Sequence, residues 1–426
     1  MKSFNNFILA FLIFAAMACQ NQQTTEKLPL ADPDNAGLTL PDKFGAIVTV
    51  DNVGKARHIA VSDQGYLYVK LRNLRDSSGI IAFRDNDGNG IMDEHVGFMP
   101  YGGTGIGIYN GYLYCSSDSN VYRYKLDAGK LAPSSEMELI ATGFPKQGPH
   151  ATKPITFDQE GHMYVTVGAP VNAGEKDAFS VESPGISPSP YIEKQAGIWQ
   201  FDANKTNQHQ SDAYHYAIGV RNALALDWNF ETNSLYAVNH GRDQLQGFWP
   251  QKYTLEQNAD LPAEQFIKVN KDQNYGWPYC YFDPFLQKQV QSPEFGGDGT
   301  STAGCEDIDP PLLSLPAHSA PNDLLFYTGD MFPERYKNGA FVALHGSWNR
   351  APYPQKGYMV VFIPFVDGKP TGDFEEFATG FAGKEEINAP TEAMYRPTGL
   401  AQGPDGSLFI VDSVKGRVWR IYYYKN

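Results

Sequence analysis

The 426-residue chain contains only four cysteines, at positions 19, 115, 280 and 305. Their spacing matches no zinc motif, and no CxxCH pair is present to attach a haem. Any electrons this protein handles therefore pass to a separate carrier. Positive charge is also scarce, since the formal net charge is −14 at pH 7 and no basic stripe exists to neutralise phosphates, which excludes a nucleic-acid partner. Past the N-terminus no Gly/Ser/Pro-rich linker or charge block divides the chain, and long stretches of helical periodicity are few. What is abundant is 41 Gly, 29 Pro, 25 Tyr and 26 Phe, a composition that argues for one all-β body large enough to fold by itself.

A short formula recurs along that body: an apolar run, a small turn, then a run of Leu/Met/Phe with Tyr and Val. It reads 59–69 (IAVSDQGYLYV), 106–115 (IGIYNGYLYC), 155–165 (ITFDQEGHMYV), 224–237 (LALDWNFETNSLYA), 324–343 and 400–410 (LAQGPDGSLFI). Each copy joins two β-branched and aromatic segments across Gly, Asn or Asp, residues that tolerate positive φ, so each is a hairpin. A hairpin cannot bury its own face. Repetition at intervals of roughly 45 to 100 residues points to a β-propeller, with six blades by count of the copies and five or seven as the alternatives. A large β-sandwich is the competing architecture, but it has no reason to reuse one hairpin formula.

The N-terminus reads as an address. Met1-Lys2 and the apolar run 7–17 end at Ala18-Cys19, the pattern of a bacterial lipoprotein signal over 1–18 with lipidation at Cys19. The expected organisation is then a flexible tether over 19–36 and the propeller over 37–426, on an exported protein held to a membrane only by its lipid. In an oxidising compartment a disulfide between Cys280 and Cys305 closes a Pro/Gly-rich loop and contributes about 3 kcal/mol. Cys115, on a strand, is expected to be a buried thiol.

Polar residues that do not suit blade filling gather at hairpin starts and ends. They are His150 in PHATK, Arg221-Asn222 in GVRNA, Gly241-Arg242-Asp243, Tyr275 and Trp277 in NYGWP, His318 in AHSAP, His345 to Arg350 in HGSWNR, and Arg396 in YRPTG. In a propeller such positions converge at one end of the central channel. Several Arg and His residues meeting in an otherwise acidic protein suggest a small, planar, polyanionic ligand.

In order along the chain, HATKPITF, GVRNALAL, NYGWPYC, AHSAP, HGSWNR and RPTGLAQGPDGSLFIVDS resemble the soluble pyrroloquinoline quinone (PQQ) sugar dehydrogenases, in particular their sorbosone dehydrogenase-like branch. The resemblance runs from about Leu40 to the C-terminus. It implies a six-bladed propeller binding PQQ and calcium over the channel and oxidising a hydroxyl or aldehyde group of a sugar. It also implies a separate electron acceptor, a cytochrome or a quinone. Carried over by position, His150 is the general base. Arg221 and Asn222 contact the quinone oxygens, with Arg221 stabilising the charge that develops there. The backbone carbonyls of Gly241 and Arg242 are expected to hold calcium. Arg396 matches a contact to a cofactor carboxylate, while His318, His345 and Arg350 fall among the remaining cofactor contacts. Tyr275 and Trp277 are expected to wall the pocket. Where glucose-type members place a glutamine and a lysine, this chain offers 102–104, ending in Thr104, and the neighbourhood of His345 and Arg350; Arg242 stands in place of a proline.

Asp85, Asp87, Asn89 and Asp93 present oxygens around a Gly turn, as a second calcium loop or as an Asx/Gly turn between strands, with Val96 where an EF-hand carries its twelfth-position Glu. The function expected from all this is a PQQ- and calcium-dependent sugar dehydrogenase. The alternative is a lipid-anchored binding propeller for carbohydrate or protein, and a metal lactonase would need a Glu/Asn/Asp set that the sequence does not assemble.

Overall fold

A computed structural model describes residues 28–425. The expected signal, and Cys19 with it, lie outside the described residues. Among the described residues, strands outnumber and outlength helices, and they form six antiparallel blades around a channel. The innermost strands are Ala56–Val61, Ile106–Tyr109, Ile155–Phe157, Ala225–Asn229, Pro321–Phe326 and Pro397–Gln402 for blades 1 to 6. They stand side by side in that order, and the sixth contacts the first.

All six repeats of the sequence formula form the inner hairpins of blades. The shortest connection shows why. Asn110 and Gly111 take φ of 48° and 78° between strands Ile106–Tyr109 and Tyr112–Ser116, the backbone that a two-residue hairpin turn requires. Each blade then buries its faces against its neighbours, so six aromatic and aliphatic clusters fill the blade junctions, one at each, with three smaller clusters beneath the connecting segments. The junction of blades 5 and 6 is the most aromatic and stacks Phe332, Tyr336, Phe341, Phe362 and Phe377 with Phe44.

The ring is closed by chain ends. Strand Phe44–Val50 joins blade 6 from the N-terminal side as its outermost strand and pairs with Val418–Tyr423, Phe44 opposite Tyr423. This makes an edge whose N–H groups need partners. Asp32 and Asn35 supply them: Asp32 Oδ2 accepts the Val48 N–H at 2.7 Å and Asn35 Oδ1 accepts that of Ala46 at 3.2 Å. The described end of the expected tether is thus docked on blade 6 from Asp32 onward. Its polar composition reads as flexible in sequence, yet two of those side chains are edge-strand acceptors.

Blade 4 carries the largest excursions. Helices α1 (Leu245–Phe248) and α2 (Leu255–Asp260) follow its second strand, and a small hairpin, Cys280–Asp283 with Lys288–Gln291, follows its third. Cys280 and Cys305 are joined at an S–S distance of 2.06 Å, and Cys115 is a buried free thiol.

Candidate functional site

Each inner strand starts at the same end of the channel, where the second strand of each blade ends. The residues leading into the inner strands, with Arg57 one residue inside the first, are therefore gathered from all six blades: Arg57, Thr104, His150 to Lys153, Arg221-Asn222, His318 and Arg396. The turns after the second strands add Asp118, Gly241 to Asp243, His345 to Arg350 and Ser413.

On the side of blades 3 to 5 the polar groups satisfy one another. His150 sits in a left-handed conformation, φ 51°, and its Nδ1 lies 2.7 Å from the Ala169 carbonyl. A carbonyl only accepts, so Nδ1 carries the proton and Nε2 keeps a lone pair. Burial, and then Arg221, pushes the ring's pKa down to about 3, against the pull of the Ala169 carbonyl and Asp243. Gly168 has to be glycine: a Cβ there would lie 2.5 Å from His150 Cβ and 2.9 Å from Asn222 Oδ1. Arg221, 3% exposed, donates from Nε and Nη2 to the backbone and side-chain oxygens of Asn172 at 2.8 and 2.9 Å. It also donates from Nη2 to Asp243 Oδ2 and from Nη1 to the Gly241 carbonyl, both at 2.8 Å. Four of its five N–H groups are engaged. Burial raises the Asp243 carboxyl, but Arg221, with His318 and His150, outweighs this and holds it below its ordinary range. Asn222 meets His240 Nδ1 at 3.3 Å, and His240 Nε2 donates to the Pro321 carbonyl at 2.7 Å. Glu264 lies beneath, and burial pushes its pKa up to about 8.

On the side of blades 6, 1 and 2 the balance is different. Arg396 donates to the His345 carbonyl at 3.2 Å, to His345 Nδ1 at 2.9 Å and to the Gly346 carbonyl, while His345 Nε2 meets Ser413 Oγ at 2.7 Å. Arg57 donates to Thr104 Oγ1 at 3.3 Å, and among the described residues no carboxylate lies within ion-pair distance of either Arg57 or Arg396. Arg72 pairs with Asp118 at 2.5 Å. Burial lowers the Arg57 pKa to about 10, and the nearby Arg72 and Arg396 lower it further than Asp118 and Asp323 restore. Three guanidinium groups thus share one contacting carboxylate. Burial depresses His240 and His345 most, and among the charges that add to it Arg57 acts on both, so the two sides of the mouth feel one another.

A model of the TrAA12-like family matches residues 38–424. The chain belongs to that family. A PQQ-dependent pyranose dehydrogenase of Coprinopsis cinerea is 30% identical over 191 residues, 38% of this chain and 25% of the relative. An uncharacterized protein of Borreliella burgdorferi is 28% identical over 211 residues, 49% of this chain and 48% of the relative. The chain therefore spans from a quarter to about half of the length of these curated relatives. The solved holo form of the C. cinerea pyranose dehydrogenase PQQ domain superposes with a TM-score of 0.73 at 18% identity, covering 93% of this chain and 98% of that one. A calcium structure of the Trichoderma reesei family AA12 enzyme gives 0.74 at 18%, covering 91% and 97%.

Against this TrAA12-like fold several expected site residues take other roles. His318 Nε2 donates to the carbonyls of Asn258 and Leu261 at 2.8 and 3.0 Å, and Arg350 donates to the Ala259 carbonyl and to Asp260 Oδ1. Both serve the open carbonyls at the C-terminus of α2 instead of a cofactor. The side chain of Arg242 is buried against Glu294. Tyr275 Oη donates to the Lys268 carbonyl at 2.7 Å within the core of blades 3 and 4, and Trp277 Nε1 donates to the Asn172 carbonyl at 3.1 Å. With Arg221, His240, Gly241 and Arg242 they line a small cavity of about 20 Å³. The Gly241 carbonyl, expected to hold calcium, accepts Arg221 Nη1 at 2.8 Å, which leaves it one lone pair. Asp85, Asp87 and Asp93 do bring carboxylate oxygens within 4.8 Å of one another, at the far end of blade 1 from the site. Asp85 accepts the Gly88 and Gly90 N–H groups at 2.8 Å, as an Asx/Gly turn does.

Sequence reasoning passed over Arg57, Arg72, Asn172 and Glu264. Arg57 carried one available signal: it sits two residues ahead of the first hairpin, as Arg396 sits just ahead of the last.

Proposed function

We propose that this chain oxidises a hydroxyl or aldehyde group of a sugar with PQQ as its electron acceptor. The observation that carries the reading is the trio Arg57, Arg72 and Arg396 with a single contacting carboxylate, across a channel mouth from a neutral His150 whose Nε2 has no proton. Three half-buried guanidinium groups with one carboxylate between them are short of negative charge, and a planar polycarboxylate such as PQQ supplies it, so these residues fit it. Arg57 and Arg396 would hold its carboxylates, and Thr104 and His345 would line it. When bound, the quinone provides the acceptor for the electrons and the hydrogen that leave the sugar carbon.

The chain's own part is proton handling and orientation. His150 Nε2 takes the proton of the sugar hydroxyl; the Ala169 carbonyl fixes the ring's tautomer, and Asp243 offsets the positive charge the ring acquires. The remaining Nη1–H of Arg221 faces developing negative charge. Trp348, 55% exposed on the turn that also sends Asn349 to Asp243, offers a flat apolar surface for a sugar ring. Export and lipid anchoring at Cys19, and transfer of electrons to a separate cytochrome or quinone, belong to this proposal as well.

The deciding experiment titrates the purified protein with PQQ, with and without calcium, follows binding by absorbance, and measures dye reduction over a panel of sugars. Binding with turnover that disappears in His150→Ala supports the reading. Failure to bind micromolar PQQ would instead leave a binding propeller.

A further inference from the structure

Glu264 is the first residue of the third strand of blade 4, Glu264–Val269, opposite Leu315. It is 3% exposed, and among the described residues no cationic group lies within ion-pair distance. A buried polar side chain with no ionic partner is expensive, and it is retained where its hydrogen bonds hold backbone groups that would otherwise be unsatisfied. Oε2 accepts the N–H of Gly241 at 2.8 Å, and Oε1 accepts the N–H of Ala320 at 3.1 Å. One carboxylate therefore grips the turn that ends the second strand of blade 4 and the turn that leads into blade 5.

Both turns need holding. Gly241 packs so tightly on Pro262 that a Cβ would meet its ring at 2.8 Å. His318 and Ala320 sit at φ 60° and 51°, a conformation that costs non-glycine residues energy and persists only when the surroundings over-determine it. From these turns the bonds run outward to both sides of the site. The Gly241 carbonyl receives Arg221. The Ala320 and Ser319 carbonyls accept the N–H groups of His345 and Gly346 at 3.0 and 2.7 Å, and the carbonyls of those two residues receive Arg396.

We infer that Glu264 is a positioning residue that couples the two sides of the site: by clamping the Gly241 and Ala320 turns it sets Arg221 on one side and Arg396 on the other. The inference rests on the proposed function only for what those arginines bind.

The test compares wild type with Glu264→Gln, which turns one oxygen into a donor facing a donor, and Glu264→Asp, which keeps the carboxyl group but is one methylene too short to reach both turns. Amide hydrogen exchange at Gly241 and Ala320 needs no cofactor. The Gln variant is expected to speed exchange at both by roughly tenfold or more while strand amides elsewhere stay unchanged, and the Asp variant to release only one. PQQ affinity is expected to fall about 10- to 100-fold in the Gln variant, with the sugar KM at saturating PQQ unchanged. Unaltered exchange at both amides overturns the clamp. Loosened amides with unaltered PQQ affinity overturn its coupling to the site. If wild type itself binds no PQQ, the proposed function fails, and the exchange data still decide whether Glu264 holds the turns. Should the Gln variant not fold, the Asp variant carries the same comparison.

Discussion

The two sides of the channel mouth draw on similar side chains for opposite ends. Beside blades 3 to 5, Arg221 is met by Asn172, Asp243 and the Gly241 carbonyl, and His150 by the Ala169 carbonyl. Four of the five Arg221 N–H groups there have a partner in the protein, and so does the His150 Nδ1–H. Beside blades 6, 1 and 2, Arg57 has a threonine hydroxyl, and Arg396 has carbonyls and an imidazole. The first side balances its charges through ion pairs; the second is short of negative charge. A guanidinium's identity does not tell which of these it serves. Its acceptors do.

Removing the base is expected to break the contrast most visibly. His150→Ala should lower turnover about 10³-fold while leaving PQQ affinity near wild type, which single-turnover dye reduction separates. Because the ring is held down to about 3, its Nε2 stays unprotonated across the ordinary range, so the acid limb of kcat/KM due to His150 should lie far below pH 6.5. By the same sign, the neutral ring's contribution to stability is present above its unfolded value near 6.5 and is lost as pH falls toward 3.

Next in size is the balanced side's ion pair. Asp243→Ala leaves Arg221 buried without its carboxylate and should cost about 3 kcal/mol of unfolding free energy by denaturant titration. The opposite side should respond the other way. Arg57→Met is expected to weaken PQQ binding by about 2 kcal/mol, roughly thirtyfold, while leaving the unliganded protein as stable as wild type or more so. A loss of stability in Arg57→Met equal to that of Asp243→Ala would erase the distinction. The smallest effect sharpens it: millimolar citrate, a surrogate polycarboxylate, should stabilise wild type by about 1 kcal/mol in thermal melts, and the stabilisation should vanish in Arg57→Met but persist in Glu294→Gln.

The inner hairpins were legible because each needs only local chemistry, alternating apolar residues and a turn that tolerates positive φ. The placement of His150, Arg221, Asn222, His345 and Arg396 at one channel end followed from their position beside those hairpins. His318 and Arg350 looked equivalent to them in sequence, yet their partners are the carbonyls of α2, a helix of 6 residues that no periodicity announces. Tyr275 and Trp277 were read as pocket walls because an aromatic Gly/Pro segment looks alike whether it faces solvent or a neighbouring loop.

By itself the sequence determined the blade count, the hairpins and the kinds of donor led to the channel mouth, since these depend on residues a few positions apart. Only the tertiary structure decided what each donor does. Arg57 lacks a carboxylate, Arg350 has one, and Glu264 reaches two turns at once, because their partners come from segments far apart in the chain, brought together by closure of the ring.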